Sequence, residues 1–481
     1  EALLASLIGV NVEGDLYRQA FTIPDLLNYL LAGAYLTITL IPILSRHLES
    51  GDAAGASRAF TSVFRFVTVG ILALTSLMWV FADPLVSLAF PEVVAEHDRL
   101  VALTRLVLPA QVFLVIGALL VAVQYAHRRF LIPALAPLVY NLGIIGGGLI
   151  GAITGDPSPE SFLLGAVLGA AVGNFGLQWF GARKTGTWLL KPRGESAVRE
   201  YLVMALPLMI GQSVAVLDEQ FVRFFGQVEE GATSALSFAR QLNMVPVGVI
   251  AQAAGVAAFP FLARLAARGD DSELIETTGR AARKTLFVAS ASTAILVVLA
   301  RPAVRLLYQY GEFTGDDADL VARLLVIYAF SIPAWGMHQI LVRHFYAKRR
   351  MWTPVVIGTA FTLAAIPIWL GLHAILGIEG FALASTLVIS GYALAMLVAW
   401  GYDSGWTAVG RLAPSLLRGL VAAAAAALVS LPLVRALDGL GTGVLAATVT
   451  LVVGGVTALA AFVAVSYLIG SPELRDLTQR G

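Results

Sequence analysis

Apolar runs long enough to cross a bilayer follow one another along almost the whole chain, separated by short polar segments. They contain too much Gly, Ala and Leu, and too little two-residue alternation, for barrel strands. Helices satisfy their backbone hydrogen bonds internally, as the hydrocarbon core requires. The pattern predicts about fourteen membrane-spanning helices, at residues 1–10, 15–46, 61–82, 101–124, 131–153, 161–182, 199–226, 232–264, 282–308, 318–343, 354–376, 379–401, 412–434 and 442–469.

The first run is too short to span, and we expect its beginning to lie upstream of Glu1. The second is longer than the roughly 20 residues that a straight span needs, so we expect it to tilt, to project from the bilayer or to bend near Pro24.

Composition supports a membrane protein. Hydrophobic residues make up 58% of the 481 residues, charged residues 13%, and the mean hydropathy is +0.81, whereas soluble domains carry about 25% charged residues. A net charge of +1 gives no nucleic-acid signal, and the absence of cysteine excludes disulfides and thiolate metal sites. No phosphate-binding loop, metal-ligand spacing or nucleophile–base pair is present, so the sequence predicts neither an enzyme nor a metal site.

Three segments recur in the same order. IPILSRHLESGD (41–52) matches FPFLARLAARGD (259–270), with Pro42 and Pro260 separated by 260 − 42 = 218 residues. The Asp83-Pro84 segment matches Arg301-Pro302 at the same offset, and YAHRRFLIP (125–133) matches YAKRRMWTP (346–354) at 354 − 133 = 221. The matches predict two parallel six-helix repeats followed by two extra C-terminal helices.

The repeat also predicts the domain boundaries. We expect an N-terminal lobe at 1–182, a cytoplasmic linker at 183–198 that lies on the membrane as an interfacial helix, a C-terminal lobe at 199–402, and two additional helices with a short cytoplasmic tail at 403–481.

Basic and acidic loops alternate along the chain. Because Lys and Arg concentrate in short cytoplasmic loops, the alternation predicts that both termini are cytoplasmic. The basic loops contain Arg46, Arg58, Arg128, Arg129, Arg183, Lys184, Lys191, Arg193, Arg264, Arg268, Arg280, Arg283, Lys284, Lys348, Arg349 and Arg350. The cations of the two repeated turns, which include Arg128, Arg129, Lys348, Arg349 and Arg350, either contact phosphates of a substrate or are solvated residues of cytoplasmic loops.

Ionisable residues within the second predicted span need an explanation, because each costs a few kcal/mol at the bilayer centre. Asp15 and Arg18 are three residues apart and either pair near the outer surface or face a cavity. Asp25 and Asn28 lie deeper at the same spacing, and we interpret them as cavity-facing.

The seventh and eighth predicted spans carry a second group of polar residues. Glu219 and Arg223 have the favourable i, i+4 order and form either a surface pair or part of a site. Asp218 lies outside this pair, and we interpret it as an ion- or proton-coupling residue. Arg240 either faces the cavity or reaches the outer surface. Because successive helical residues point about 100° apart, Gln241 cannot face fully in the same direction.

Four segments carry a resemblance to a known family. They are AFTIPDLLNYLLAGA (20–34) followed by IPIL, RRFLIPALAPLVYN (128–141), YQYGEFTGDD (308–317) and FYAKRRMWTPV (345–355). Together they resemble the MurJ/MviN family of lipid II flippases, within the multidrug, oligosaccharidyl-lipid and polysaccharide exporter (MOP) superfamily. The resemblance implies two six-helix lobes and a final helix pair that forms a groove for an undecaprenyl tail.

The resemblance also implies a set of site residues. Glu1 and Asp15 match acidic positions, while Asn28 and Gln241 stand where the family carries arginines. Arg18, Arg240 and Arg223 would then supply the cations of a substrate-binding set that includes Asp25. Asp218 corresponds approximately to an aspartate of the family's sodium site, whose eleventh-helix ligands this chain lacks.

We therefore expect a flippase that moves lipid II, or a related undecaprenyl-diphosphate-linked saccharide, from the inner to the outer leaflet by alternating access. It would act as a monomer in the bacterial cytoplasmic membrane, coupled to Na⁺, H⁺ or the membrane potential. The diphosphate would lie in the central cavity and the tail near helices 13 and 14. The alternatives are a cation-coupled exporter of amphipathic small molecules on the same scaffold, and a membrane scaffold without transport.

Overall fold

The structure is a computed structural model that describes residues 1–30, 33–187, 196–211, 220, 223–224, 226–251, 257–348, 350–439, 441 and 443–478. All regular elements within these ranges are helical. Residue contacts divide the chain into two compact units. The first comprises Leu3–Thr233, and the second comprises Ser234–Gly481 together with Glu1–Ala2.

The first unit begins with several short helices and continues with long ones. They are α1 (Ala2–Leu7), α2 (Val12–Ala20), α3 (Thr22–Leu30), α4 (Gly33–Glu49), α5 (Ala53–Val80), α6 (Ala82–Ala89), α7 (His97–Val107), α8 (Pro109–Ala126), α9 (Leu131–Thr154), α10 (Pro159–Gly169), a π-helical stretch (Ala170–Leu177), α11 (Gln178–Arg183), α12 (Ser196–Gly211) and a 3₁₀ turn (Gly226–Val228).

The second unit contains the remaining helices. They are α13 (Ala232–Ala251), α14 (Ala257–Arg268), α15 (Asp271–Tyr308), α16 (Gly315–Ala329), α17 (Ile332–Ala347), α18 (Trp352–Leu376), α19 (Ile378–Ser404), α20 (Trp406–Gly410), α21 (Ala413–Asp438), α22 (Val444–Leu468) and α23 (Pro472–Thr478).

Within the described ranges, nine helical segments are long and apolar enough to cross a membrane, and the bent pair α16–α17 would make a tenth. The all-α polytopic membrane fold is therefore confirmed, whereas the count of fourteen spans stays a prediction. The predicted spans 199–226 and 232–264 are described only in part.

The first repeated segment forms the same corner twice. Gly51 and Gly269 adopt left-handed φ angles of 74° and 73° at the ends of α4 and α14, a conformation that glycine adopts at little cost. Asp52 and Asp270 then cap α5 and α15, accepting hydrogen bonds from the backbone N–H groups of Gly55 and Glu273. These caps extend the helices toward the corner, so the predicted starts at residues 61 and 282 were wrong.

The YAHRRFLIP and YAKRRMWTP turns also share their backbone geometry. Arg129 N–H donates to Gln124 O at 2.8 Å, and Arg350 N–H donates to Phe345 O at 2.8 Å. Both donors and both acceptors are 221 residues apart (350 − 129 and 345 − 124). The duplication therefore extends to individual hydrogen bonds.

Proline breaks two of the predicted spans. The span 15–46 is interrupted at Phe21, just before Pro24, and the span 318–343 bends by 42° just before Pro333. Proline has no N–H for the carbonyl four residues earlier, and its ring collides with that carbonyl. A bend near Pro24 was one of three expected outcomes for the span 15–46, and a helix break lies there, while the predicted span 318–343 is divided between α16 and α17.

Glycines bring α9 and α10 into backbone contact. A Cβ atom added to Gly143 would lie 2.6 Å from Gly169 Cα, and one added to Gly165 would lie 3.0 Å from Gly147 Cα. Side chains larger than hydrogen would separate the helices, so the glycine-rich run GIIGGGLIG (143–151) allows close helix packing.

The two units have separate cores. In the first, Tyr201 and Ala205 of α12 lie in one apolar cluster with residues of α4, α5 and α8. In the second, Ala422 and Ala426 of α21 pack with Phe287 of α15. The contact boundary thus falls between Thr233 and Ser234, whereas the predicted lobe boundaries follow the sequence duplication and stay a prediction.

Candidate functional site

Helix α2 carries a group of buried polar residues. Asn11 begins this helix, with its side-chain oxygen accepting a hydrogen bond from Gly14 N–H at 3.1 Å. Asp15 and Arg18 are only 6% and 8% exposed, and Gln19 is also buried. Neither predicted site residue on this helix therefore lies in open solvent.

Asp15 holds the turn that precedes α13. Its Oδ2 accepts a hydrogen bond from Gly231 N–H at 2.8 Å in a buried environment. Gly231 has a left-handed φ of 76°, and a Cβ there would lie 3.0 Å from Val10 O, so glycine suits both the backbone and the space. Gln19 Nε2 donates to Thr233 Oγ1 at 3.5 Å on the same segment. The described contacts thus give Asp15 a defined structural role.

Asp25 and Arg223 form an ion pair. Arg223 Nη1 lies 2.7 Å from Asp25 Oδ2, and the side chains of Arg223 and Asp25 are 11% and 22% exposed. The two residues are 198 positions apart, so the pair ties α3 to the segment before the 3₁₀ turn. A charge-assisted hydrogen bond of this kind contributes about 1.5–3 kcal/mol. Two residues predicted for the site from different spans are thereby brought together.

The remaining predicted residues outside α13 are Asn28, Glu1 and Asp218. Asn28 is half-buried and lies one helical turn after Asp25. Glu1, which belongs by its contacts to the second unit, is exposed just before α1. Asp218 and Glu219 lie outside the described residues, so the predicted coupling role of Asp218 stays a prediction.

Arg99 is a site-forming residue that the sequence analysis did not single out. Its Nη2 lies 2.6 Å from Glu13 Oε2 on α2, and its Nε lies 3.1 Å from Glu160 Oε1 on α10. Arg99 therefore fixes α2, and with it Asp15 and Arg18, against two neighbouring helices. The available sequence signal was the Glu13-Asp15 pair in the first turn of α2, which calls for a nearby cation.

The polar residues of α13 divide between two faces. Arg240 is half-buried and Gln241 is exposed, and whether Arg240 faces a cavity stays a prediction. Asn243, on the same face as Arg240, is buried and donates through Nδ2 to Ser331 Oγ at 3.1 Å. Ser331 lies at the break between α16 and α17, so this buried hydrogen bond joins α13 to that break within the second unit.

These groups suit the binding of an anion. A guanidinium presents a planar fork of donors that fits a carboxylate or phosphate, and Arg18 and Arg223 are mostly withdrawn from solvent. Because a buried cation needs a counter-ion, Asp25 stabilises Arg223 in this structure. Intramembrane charges of this kind on a polytopic helical fold are characteristic of transporters.

Solved structures share this fold. A structure described as lipid II flippase MurJ in the inward closed conformation superposes with a TM-score of 0.78, covering 99% of this chain and 96% of that one at 21% identity. An inward-facing MATE family transporter of the MOP superfamily superposes with a TM-score of 0.68, covering 86% and 94% at 13% identity. The chain therefore has the fold that these two structures share.

Sequence comparison identifies the family. The model described as "Lipid II flippase MurJ" matches residues 4–461. Probable lipid II flippases MurJ from Bdellovibrio bacteriovorus and Thermotoga maritima are 26% and 25% identical, covering 96% and 100% of this chain and 89% and 94% of their own lengths. A probable lipid II flippase MurJ from Rhizobium meliloti is 25% identical, with coverage of 83% and 76%. The chain belongs to the MurJ family.

Proposed function

We propose that this chain is a lipid II flippase, which moves lipid II or a related undecaprenyl-diphosphate-linked saccharide from the inner to the outer leaflet by alternating access. The observation that carries the proposal is the MurJ family match over residues 4–461, nearly the whole chain. The transport involves no covalent chemistry, and the family is one of flippases. The site is expected to bind a diphosphate and release it unchanged.

The Asp25–Arg223 pair gives this binding a physical mechanism. Without substrate, Asp25 is the counter-ion that makes a cation tolerable in apolar surroundings. A diphosphate brings more negative charge and a bidentate geometry, so it competes with Asp25 for the guanidinium. Exchange of one anion for another keeps the charge compensated at each step of transport.

The other predicted residues receive supporting roles in this proposal. Arg18 and Arg240 supply further cations, and Asn28 and Gln241 donate hydrogen bonds to the diphosphate or saccharide. Glu1 and Asp15 set the local field, and Asp15 also holds the Gly231 turn. The undecaprenyl tail lies against the apolar outer surface of α21 and α22, where Leu428 and Val456 are exposed.

The positions of the basic loops support a proposed orientation of the chain in the membrane. The cation-rich loops predict cytoplasmic termini in the bacterial inner membrane, and a monomer suffices for a substrate held within one chain. Coupling to Na⁺, H⁺ or the membrane potential is proposed to act through Asp218.

Complementation tests the proposal. A bacterium depleted of its own lipid II flippase should regain growth and display lipid II on the outer face of its membrane when it produces the chain. Arg223→Ala should abolish both readouts while membrane insertion is retained, whereas Arg323→Ala, an exposed arginine paired with Glu379, should leave them intact. Normal insertion without lipid II on the outer face would overturn lipid II as substrate.

A charge exchange separates a structural role from a substrate role. The double variant Asp25→Arg with Arg223→Asp restores the ion pair but moves the cation from one element to the other. If the pair serves folding alone, the double variant recovers transport relative to Arg223→Ala. We expect restored stability without restored transport, because the diphosphate requires the cation at residue 223.

The exporter alternative rests on fold likeness alone, because the MATE structure is 13% identical. Substrate-stimulated proton or sodium flux in vesicles that Asp218→Asn abolishes, without lipid II binding, would favour the exporter.

A further inference from the structure

A basic cavity lies in the second unit, at the end of α15 that follows the repeated Gly269-Asp270 corner. Its volume is about 430 Å³. It is enclosed by α15, by the α20–α21 junction and by the C-terminal helix α23. Its lining includes five cations: Arg280, Arg283, Lys284, Arg411 and Arg418.

The cavity is built by helical spacing. Positions 276, 280, 283 and 284 recur every three or four residues and so share one face of α15. Arg418 lies one turn after Pro414 at the start of α21, and Glu473 and Asp476 lie one turn apart on α23. Three separate elements therefore present charged side chains to one space.

Three carboxylates compensate the cations only in part. Glu276 is shared, with Oε1 3.1 Å from Arg283 Nη2 and Oε2 3.1 Å from Arg411 Nη1. Asp476 Oδ2 is 3.9 Å from Lys284 Nζ. Five cations and three carboxylates leave a formal charge of 5 − 3 = +2 in the lining.

Glu473 is fully engaged in the cavity wall. It is buried, and its carboxylate accepts hydrogen bonds from Arg418 Nη2 at 2.7 Å, from Ser471 Oγ at 2.6 Å and from Ser415 Oγ. These bonds attach α23 to α21 and orient Arg418. Glu473 therefore shapes the cavity and does not compensate the cations at its mouth.

Arg280 is one of the exposed cations of the lining. Its side chain is exposed, and among the described residues no carboxylate oxygen lies within 4.0 Å of it. Two positions beyond Lys284, α15 becomes apolar through the span that packs on α21 and α22. The cavity is thus at the level where a span meets the membrane surface, which is where phospholipid phosphates lie.

We propose that this cavity binds the phosphate of an anionic phospholipid from the adjacent leaflet. Basic pockets between transmembrane helices recognise anionic headgroups, and guanidinium groups bind phosphate oxygens bidentately. Arg280 and Arg411 make the first contacts, while Arg283 and Lys284 hold the headgroup from the α15 side. The proposal goes beyond the transport function and is independent of the transported substrate.

Native mass spectrometry of the full, delipidated chain tests the site. The protein is titrated with phosphatidylglycerol and, separately, with zwitterionic phosphatidylcholine. We expect preferential retention of phosphatidylglycerol, reduced roughly tenfold in Arg280→Gln/Arg411→Gln, since loss of two charge-assisted contacts removes at least that much affinity. Equal retention of both lipids, or an unchanged double variant, would overturn the proposal.

Matched variants separate binding in this cavity from general attraction of anionic lipid to a basic protein. Arg46→Gln/Arg323→Gln also removes two arginines, which are 61% and 59% exposed and each paired with a glutamate elsewhere. This control should retain phosphatidylglycerol, and an equal loss would show nonspecific attraction and overturn the site. Arg280→Gln alone, which breaks no ion pair among the described residues, covers the case in which the double variant misfolds, and it should give an intermediate loss.

Inorganic phosphate distinguishes the two sources of the anion. Millimolar phosphate should not displace phosphatidylglycerol, because the lipid is also held by its acyl chains, which inorganic phosphate lacks. Displacement by phosphate, with phosphate adducts on the native chain and none on Arg280→Gln, would overturn the lipid assignment and identify free phosphate as the ligand.

Discussion

The repeated turns after α8 and α17 have the same backbone and different charge environments. In the second unit, buried Asp403 pairs with two cations, Lys348 Nζ at 2.9 Å and Arg350 Nη1 at 2.6 Å, and also lies 3.1 Å from His344 Nε2. In the first unit, Arg129 donates to Lys184 O, and His127 lies 3.2 Å from Thr187 Oγ1. The two repeats thus share the backbone hydrogen bond of this turn, whereas the charged side chains of the turn have different partners in each repeat.

Removing the carboxylate from the second turn should have the largest effect. Asp403 and His344 are 5% and 0% exposed, and breaking a buried ionic network by deleting one partner costs about 3–5 kcal/mol. Thermal unfolding of the detergent-purified Asp403→Ala variant should therefore show a marked decrease in melting temperature.

Glu200→Ala is the control for that variant. Glu200 pairs with Arg46 at an exposed site, and such pairs contribute about 0–1 kcal/mol. If Asp403→Ala unfolded at the same temperature as Glu200→Ala, the buried cluster would have no special role in the second unit.

The Gly-Asp corners should respond alike in the two units. A side chain at Gly51 or Gly269 meets no atom within 4 Å, so alanine introduces backbone strain alone, at about 1–2 kcal/mol for a left-handed residue. Gly51→Ala and Gly269→Ala should lower the melting temperature by equal amounts. A large difference between the two variants would show that the corners are not energetically equivalent.

Arg99 provides a smaller test of how far the two repeats differ. The 218-residue offset places Asp317 opposite Arg99 (99 + 218), and Asp317 instead completes the capping box of α16 with Thr314. Because the Arg99 network with Glu13 and Glu160 is partly exposed, Arg99→Gln should cost about 1 kcal/mol. Lipid II transport should fall more than stability, since α2 loses its position; an unchanged transport rate would contradict the positioning role.

Acid should act on the C-terminal helix. Burial by itself would raise the pKa of Glu473, but hydrogen bonds from Arg418, Ser415 and Ser471 lower it from 4.5 to about 2. A lowered folded-state pKa stabilises the fold above pH 4.5, and this contribution decreases as the pH falls toward 2. Protection of α23 from proteolysis should therefore be constant from neutral pH to about pH 5 and decrease below it, and Glu473→Gln should remove that dependence.

Hydropathy and the sequence repeat predicted the membrane fold well. The thickness of the bilayer sets the length of a spanning helix, and that length is visible in the sequence as an apolar run. Proline was less informative. Pro24 and Pro333 follow breaks, whereas Pro42, Pro246 and Pro302 remain inside continuous helices. Pro84 and Pro302 are repeat partners, yet α5 ends before Pro84 while α15 continues through Pro302. Packing around each proline decides between these outcomes, and a single sequence does not contain that information.

The candidate site was predictable only residue by residue. The cost of charge in lipid singled out Asp25 and Arg223, but their pairing depends on tertiary structure that joins positions 198 apart. Arg99 was overlooked because it lies among the acidic loop residues at the start of α7, where cations look solvated. The buried role of Asp403 was likewise hidden, since an aspartate at the end of a span resembles an ordinary surface residue.

The glycine contacts between α9 and α10 have a consequence for spectroscopy. With backbone against backbone at Gly143 and Gly169, the two helices approach too closely there for the side chains of either one to pass the other. We therefore expect the proposed alternating access to move the two helices as one rigid body. A pair of spin labels on their lipid-facing sides, at Ile150 and Leu164, would keep a constant separation throughout the transport cycle and serve as an internal ruler for the helices that move.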